Sequence, residues 1–169
     1  MIIAQHTIKA NLSAKQLWQQ LINVGEWRHW DDAIEFAELE EPVGVESIGV
    51  IKHKNHELTS FMIIEYDHLR KLVEIRKSYF GKFKLHKELS KCKDGMIAFT
   101  QKIEILDAQS VIFSPFISQT LKNSLAQSAI NLINYCADRD LSHKHMKYEL
   151  EDAVRRAYCF SLKSGSFID

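Results

Sequence analysis

From Ser114 to Cys136 the chain carries a stretch that can do little other than form one long helix. Ser114 suits an N-cap, and Pro115 falls at the first helical position, where its missing N–H costs nothing. No Gly or Pro follows before Cys136. Ile117, Leu121, Leu125, Ala129, Leu132 and Cys136 recur at three- and four-residue spacing, which places them on one face. Lys122, Asn123, Gln127, Asn131 and Asn134 fill much of the remainder. At about 1.5 Å per residue the helix is roughly 30 Å long, enough to cross a small domain. An apolar stripe of that length needs a partner, and the segments before it read as strands.

Residues 2–10, with Ile2, Ile3, Thr7 and Ile8, read as the first strand. Ser13 and Gln16 form the S-x-x-Q capping pattern that opens a short helix over Ala14–Ile22. Asn23-Val24-Gly25 breaks it, and Trp27–Trp30 forms a second short helical turn. Six further strands are expected: Ala33 to Glu41, Val43–Lys52, Leu58–Tyr66, Lys71–Lys77, Tyr79–Leu89 and Met96–Leu106. Gly44 and Gly49 suggest that the second of these is bent or bulged. Leu58–Tyr66 is apolar on both phases, so its inward face stays open. In Lys71–Lys77 the apolar phase is Val73 and Ile75. Short links between successive strands imply an antiparallel meander.

The chain of 169 residues is long enough for one domain with a real core. Lys plus Arg and Asp plus Glu are 22 each, so no overall basicity points to nucleic acid, and none is expected as a partner. Cys92, Cys136 and Cys159 form no CxxC pair, which implies reduced thiols. No window approaches about 18 uninterrupted apolar residues, and MIIAQHTIKA lacks the pattern of a signal peptide. The expectation is a cytoplasmic protein without integral membrane association.

Within this layout sit Leu17-Trp18, Leu21, Trp27 and Trp30, followed by Val43-Gly44-Val45. Glu65 to Leu72 is an acidic strand end followed by Arg70 and Leu72, and Lys93-Asp94-Gly95 forms a Gly-led hairpin before the last strand. With the order strand, two short helices, meander and long helix, residues 1–137 resemble the START/polyketide-cyclase (SRPBCC) superfamily, in the polyketide cyclase/dehydrase-like branch. The resemblance implies an α+β helix-grip fold: a seven-stranded antiparallel curved sheet around a long C-terminal helix, with an apolar cavity between them. Members of that superfamily carry lipids, sterols, hormones or polyketides, some cyclise polyketides, and some are protein adaptors. Residues 138–169 depart from the pattern. Met146, Leu150, Ala153, Val154 and Ala157 give that extension one amphipathic helical face, suited to capping the cavity or to homodimer formation.

In the final hairpin Phe83, Leu85, Lys87 and Leu89 share one face, as do Ile97, Phe99, Gln101, Ile103 and Ile105. Pointed at the helix, these faces leave Lys87 and Gln101 as polar intruders. With a turn at Lys91–Gly95, Leu89 pairs near Ile97 and Lys87 lies diagonal to Gln101. Either both groups orient a ligand, Lys87 as an anion contact, or Lys87 snorkels at a sheet edge and Gln101 satisfies a backbone group. The expected cavity lining is Trp30, Phe36, Phe61, Phe83, Leu85, Lys87, Phe99, Gln101, Phe113, Phe116, Ile117 and Leu121. The tryptophans equally suit anchoring of the short helices. His53 with His56 and His143 with His145 lack metal-site spacing, and neither a metal nor a cofactor is expected. No motif of a known catalytic loop is present. The leading reading is binding of a small hydrophobic molecule. A cyclase or dehydratase working through Lys87, with Tyr66 or Glu65 if they face inward, comes second, and an interaction protein third.

Overall fold

A computed structural model describes residues 1–78, 81–106 and 117–140. Its strands are β1 (Ile2–Ala10), β2 (Ile34–Leu39), β3 (Ile48–His53), β4 (Leu58–Asp67), β5 (Lys71–Ser78), β6 (Gly81–Lys91) and β7 (Ile97–Ile105). Helix α1 (Ala14–Ile22) and a 3-10 helix (Val24–His29) lie between β1 and β2. The long helix α2 covers 117–140. The seven strands make one antiparallel sheet in the order β1-β7-β6-β5-β4-β3-β2. Every sequential pair from β2 to β7 is adjacent, as short connections demand. Met1–Cys136 forms one compact unit. The expected cap Ser114, Pro115 and the tail helix beyond residue 140 lie outside the described residues.

Local chemistry sets the ends of the short elements. The Ser13 side chain accepts from Gln16 N at 3.2 Å, and Gln16 Oε1 accepts from Ser13 N at 2.8 Å, closing the capping box. Leu17, Trp18 and Leu21 then fall on the buried face of α1. The 3-10 helix is pinned from inside by Trp27, whose Nε1 donates to Leu21 O at 3.1 Å. Its outer side is tied to α2 by Tyr135 donating to Glu26 and, in the following turn, by Ser128 donating to Asp31.

The apolar stripe of α2 is buried on the inner face of the sheet. Leu125 packs with Ala4, Leu85 and Ile103, and Leu121 flanks that group. Ala129, Leu132 and Cys136 pack into a larger cluster built on Trp18, Trp27 and Phe99. No described helix is long and apolar enough to cross a membrane.

The strand expected over Val43–Lys52 begins only at Ile48. Gly44 belongs to the preceding loop, where its N–H donates to Ser47 Oγ at 2.9 Å. Gly49 is the glycine the sheet requires. A Cβ there would overlap the Phe61 ring and sit 2.7 Å from the Glu38 carbonyl oxygen. Gly49→Ala is therefore expected to cost about 1–3 kcal/mol, as overpacking of a closed core does. Urea denaturation of the variant checks this, and an unchanged midpoint would mean that Phe61 moves aside freely.

Candidate functional site

The inner face follows from the register. In β6, Phe83, Leu85, Lys87 and Leu89 point inward, opposite Ile105, Ile103, Gln101 and Phe99 of β7. In β5, Arg76 lies opposite Phe83, Glu74 opposite Leu85 and Leu72 opposite Lys87. Two-residue alternation then brings Glu74 and Arg76 to the inner side, and the apolar phase of Val73 and Ile75 goes to the outer face. On β4 the inward phase is Phe61 and Ile63, opposite Arg76 and Glu74.

The hairpin register differs from the sequence expectation by two residues. Pairing continues to Lys91 opposite Ile97, and the turn closes with Cys92 N donating to Met96 O at 2.8 Å and Gly95 N to Cys92 O at 3.1 Å. Asp94 Oδ1 caps it by accepting from Met96 N. A two-residue slip preserves the faces, so the same side chains point inward, but Lys87 stands directly across from Gln101 rather than diagonal to it.

Lys87 does not snorkel. It is 2% exposed on an interior strand, and its Nζ donates to Glu74 Oε1 at 2.9 Å. Arg76 donates to the same carboxylate oxygen at 2.8 Å. Glu74 is fully buried and Arg76 is 8% exposed. Aromatic rings roof the cations: Lys87 Nζ is 3.7 Å from the Trp27 ring centroid, and the Arg76 guanidinium is 5.5 Å from Trp27 and 5.7 Å from Phe61. Trp27 stacks on Phe61 at 5.7 Å and meets Trp30 edge-on. These are cation–π distances, which favour the charged forms.

One carboxylate thus serves two cations. Burial raises the Glu74 carboxyl, but Arg76 and Lys87 together outweigh it and hold the group below the usual carboxylate range. Burial lowers Lys87, and the Arg76 charge adds to that, with Glu74 opposing but not cancelling both. Both shifts are downward, which favours the charge on Glu74 and disfavours that on Lys87, because a single negative charge cannot compensate two buried positive ones. Nearby, burial and then the Arg76 charge lower His53, with Asp31 and Glu74 pulling the other way.

Among the expected lining residues, Trp30, Phe61, Leu85, Lys87, Phe99 and Gln101 are buried. Phe83 and Leu121 are half-buried around the Leu85 cluster, and Ile117, also half-buried, begins the described part of α2. Phe113 and Phe116 lie outside the described residues. Phe36 is a correction. It stands opposite Lys52, on the face away from buried Ala37 and Ile51, and is 39% exposed. A register shift between Ile34 and Phe36 makes the phase hard to read from apolarity alone. Glu65 faces outward and pairs with Lys71 at 2.9 Å, whereas Tyr66, beyond a shift at Ile63/Glu65, turns to Trp18 with ring centroids 5.5 Å apart. The residues missed by sequence reasoning are Glu74 and Arg76. Pairing β5 to the already assigned face of β6 would have found them.

No protein-family model matches the sequence, and no curated protein matches it either. The likeness is to solved structures, and it is one of fold. Protein jhp0584 of Helicobacter pylori superposes with a TM-score of 0.68 at 8% identity, over 79% of this chain and 86% of that one. The Zhui aromatase/cyclase of Streptomyces sp. R1128 gives 0.61 at 11% identity, covering 80% and 93%. The di-domain aromatase/cyclase StfQ of the steffimycin pathway gives 0.65 at 9% identity, where 83% of this chain spans about half (52%) of that one. The chain therefore has the helix-grip fold that these structures share.

Proposed function

We propose that the protein holds a small apolar molecule between the inner sheet face and α2. The observation that carries this reading is the inner face itself. Leu85, Phe99 and Ile103 present an apolar wall to Leu125 and Ala129, interrupted by one compact polar group. A largely apolar surface with a few convergent polar groups is what retention and orientation of a small ligand require. The aromatase/cyclases with this fold support the reading, because those proteins are named for work on ring-forming substrates. Trp27 and Trp30 report on the site, so titration with apolar aromatic and aliphatic probes is expected to give saturable quenching of tryptophan emission at 1:1 stoichiometry. Absence of saturation with every probe class would contradict the reading.

The buried Glu74–Arg76–Lys87 group favours a second reading, a cyclase or dehydratase. In an intramolecular aldol condensation a carbon acid loses a proton, a C–C bond forms to a carbonyl, and water leaves. Lys87 and Glu74 would move those protons in a site closed to water, where such groups act strongly. Lys87→Met separates the two readings. A carrier keeps its affinity for a neutral apolar probe in that variant and turns nothing over in either form, whereas an enzyme loses turnover of an enolisable diketone.

A further inference from the structure

The polar group is one end of a band that crosses the inner face. His6 of β1 pairs with Gln101 of β7, Gln101 with Lys87 of β6, and Lys87 reaches Glu74 of β5, with Arg76 two residues on. Four polar atoms in this band are sealed from solvent without a hydrogen-bond partner: His6 Nε2, Gln101 Oε1, Glu74 Oε2 and Arg76 Nε. An unpaired buried polar atom costs on the order of 1–3 kcal/mol, and native cores hold few of them. Here they cluster, with apolar surface on either side: Leu85, Ile103 and Leu125 in one direction, Phe99, Leu72 and Leu89 in the other. The ionic part of the band is unbalanced, since one carboxylate oxygen accepts from both Lys87 and Arg76.

Resting on the container reading above, we infer that the ligand is a monoanion: an apolar body bearing a carboxylate that docks on Arg76 and Lys87. Arg76 is the least buried of the three charged residues, and its Nε is a buried donor without a partner. Guanidinium suits a carboxylate because its donors match two oxygens in a plane. A second negative charge on the ligand is disfavoured. Two cations on one carboxylate leave a single net positive charge for the ligand to offset, so a second negative charge would go uncompensated beside Glu74. The band therefore selects a carboxylate over a phosphate monoester of the same body, and over a neutral ester.

The test is a matched series measured calorimetrically at pH 7.5 on the full chain: 2-naphthoate, methyl 2-naphthoate and 2-naphthyl phosphate. The expected result is that 2-naphthoate binds at least tenfold tighter than either of the others. In Arg76→Met the acid and ester are expected to converge within about threefold. Equal binding of acid and ester by the wild-type protein overturns the inference while leaving the container reading intact. Tighter binding of the phosphate overturns the selection of a monoanion. Failure of all three to bind removes both readings together. A tenfold preference that survives in folded Arg76→Met also overturns the inference, because the anion then docks elsewhere. If Arg76→Met does not fold, the wild-type series still decides the matter, and Gln101→Leu, which keeps every charge, is expected to retain the preference for acid over ester.

Discussion

Replacing Glu74 by alanine is expected to destabilise the protein by about 3–5 kcal/mol, the usual result of removing one partner from a buried charge group. The loss comes from what remains. Lys87 and Arg76, 2% and 8% exposed, are left without the carboxylate oxygen to which both donate. Total stability for a domain of this size is of order 5–15 kcal/mol, so the variant stands near its unfolding threshold. Chemical denaturation monitored by circular dichroism measures it. The same logic predicts that the triple replacement Glu74→Met, Arg76→Met, Lys87→Met lies close to wild type, since apolar groups of similar volume often match a buried ionic group. A Glu74→Ala loss below about 1 kcal/mol would mean that water reaches the cations.

The same group gives stability a defined pH dependence. The folded value of Lys87 lies below its ordinary 10.5, so in the window between the two the unfolded chain binds the proton more readily. Stability then rises with pH through that window, and Lys87→Met should flatten the rise. Glu74 acts at the acid end. Its folded value lies below the ordinary 4.5, so its contribution is present above 4.5 and is lost as pH falls through the folded value.

The second large effect is expected at Trp27. Trp27→Ala removes a residue that is 1% exposed, donates to Leu21 O, stacks on Phe61 and covers both cations. Large-to-small changes at such aromatic sites cost about 3–5 kcal/mol. By contrast, Phe36→Ala should change stability by no more than about 0.5 kcal/mol, because Phe36 lies exposed on the outer face. The pair is a direct comparison of two aromatics that look equally structural in the sequence. Similar losses at both positions would contradict the assignment of the sheet faces.

What the sequence could reveal depended on periodicity and on caps. The capping box fixed α1 at Ala14–Ile22, because its reciprocal hydrogen bonds are local and encoded by Ser13 and Gln16. The buried face of α2 followed from three- and four-residue spacing, and the faces of β6 and β7 from strict alternation, which made Lys87 and Gln101 visible as inward polar residues. The hairpin register was less legible. Two-residue slips leave the same faces in place, and the choice is made by hydrogen bonds around Cys92, Asp94 and Gly95 that alternation does not encode. Glu74 and Arg76 were concealed for a different reason. Val73 and Ile75 suggest an apolar inner phase, but in an interior strand the inward phase is set by its neighbours. Two charges can occupy it when they meet a third on the next strand.

The proposed binding of a ligand between the inner face and α2 can be observed residue by residue. The most direct measurement is an amide chemical-shift titration of isotope-labelled protein with 2-naphthoate. Saturable shifts are expected at Leu85, Lys87, Phe99 and Gln101 of β6 and β7 and at Leu125 of α2, with the outer-face residues Ile48 and Met62 unmoved. Shifts confined to the outer face, or no saturable shift at any residue, would contradict it.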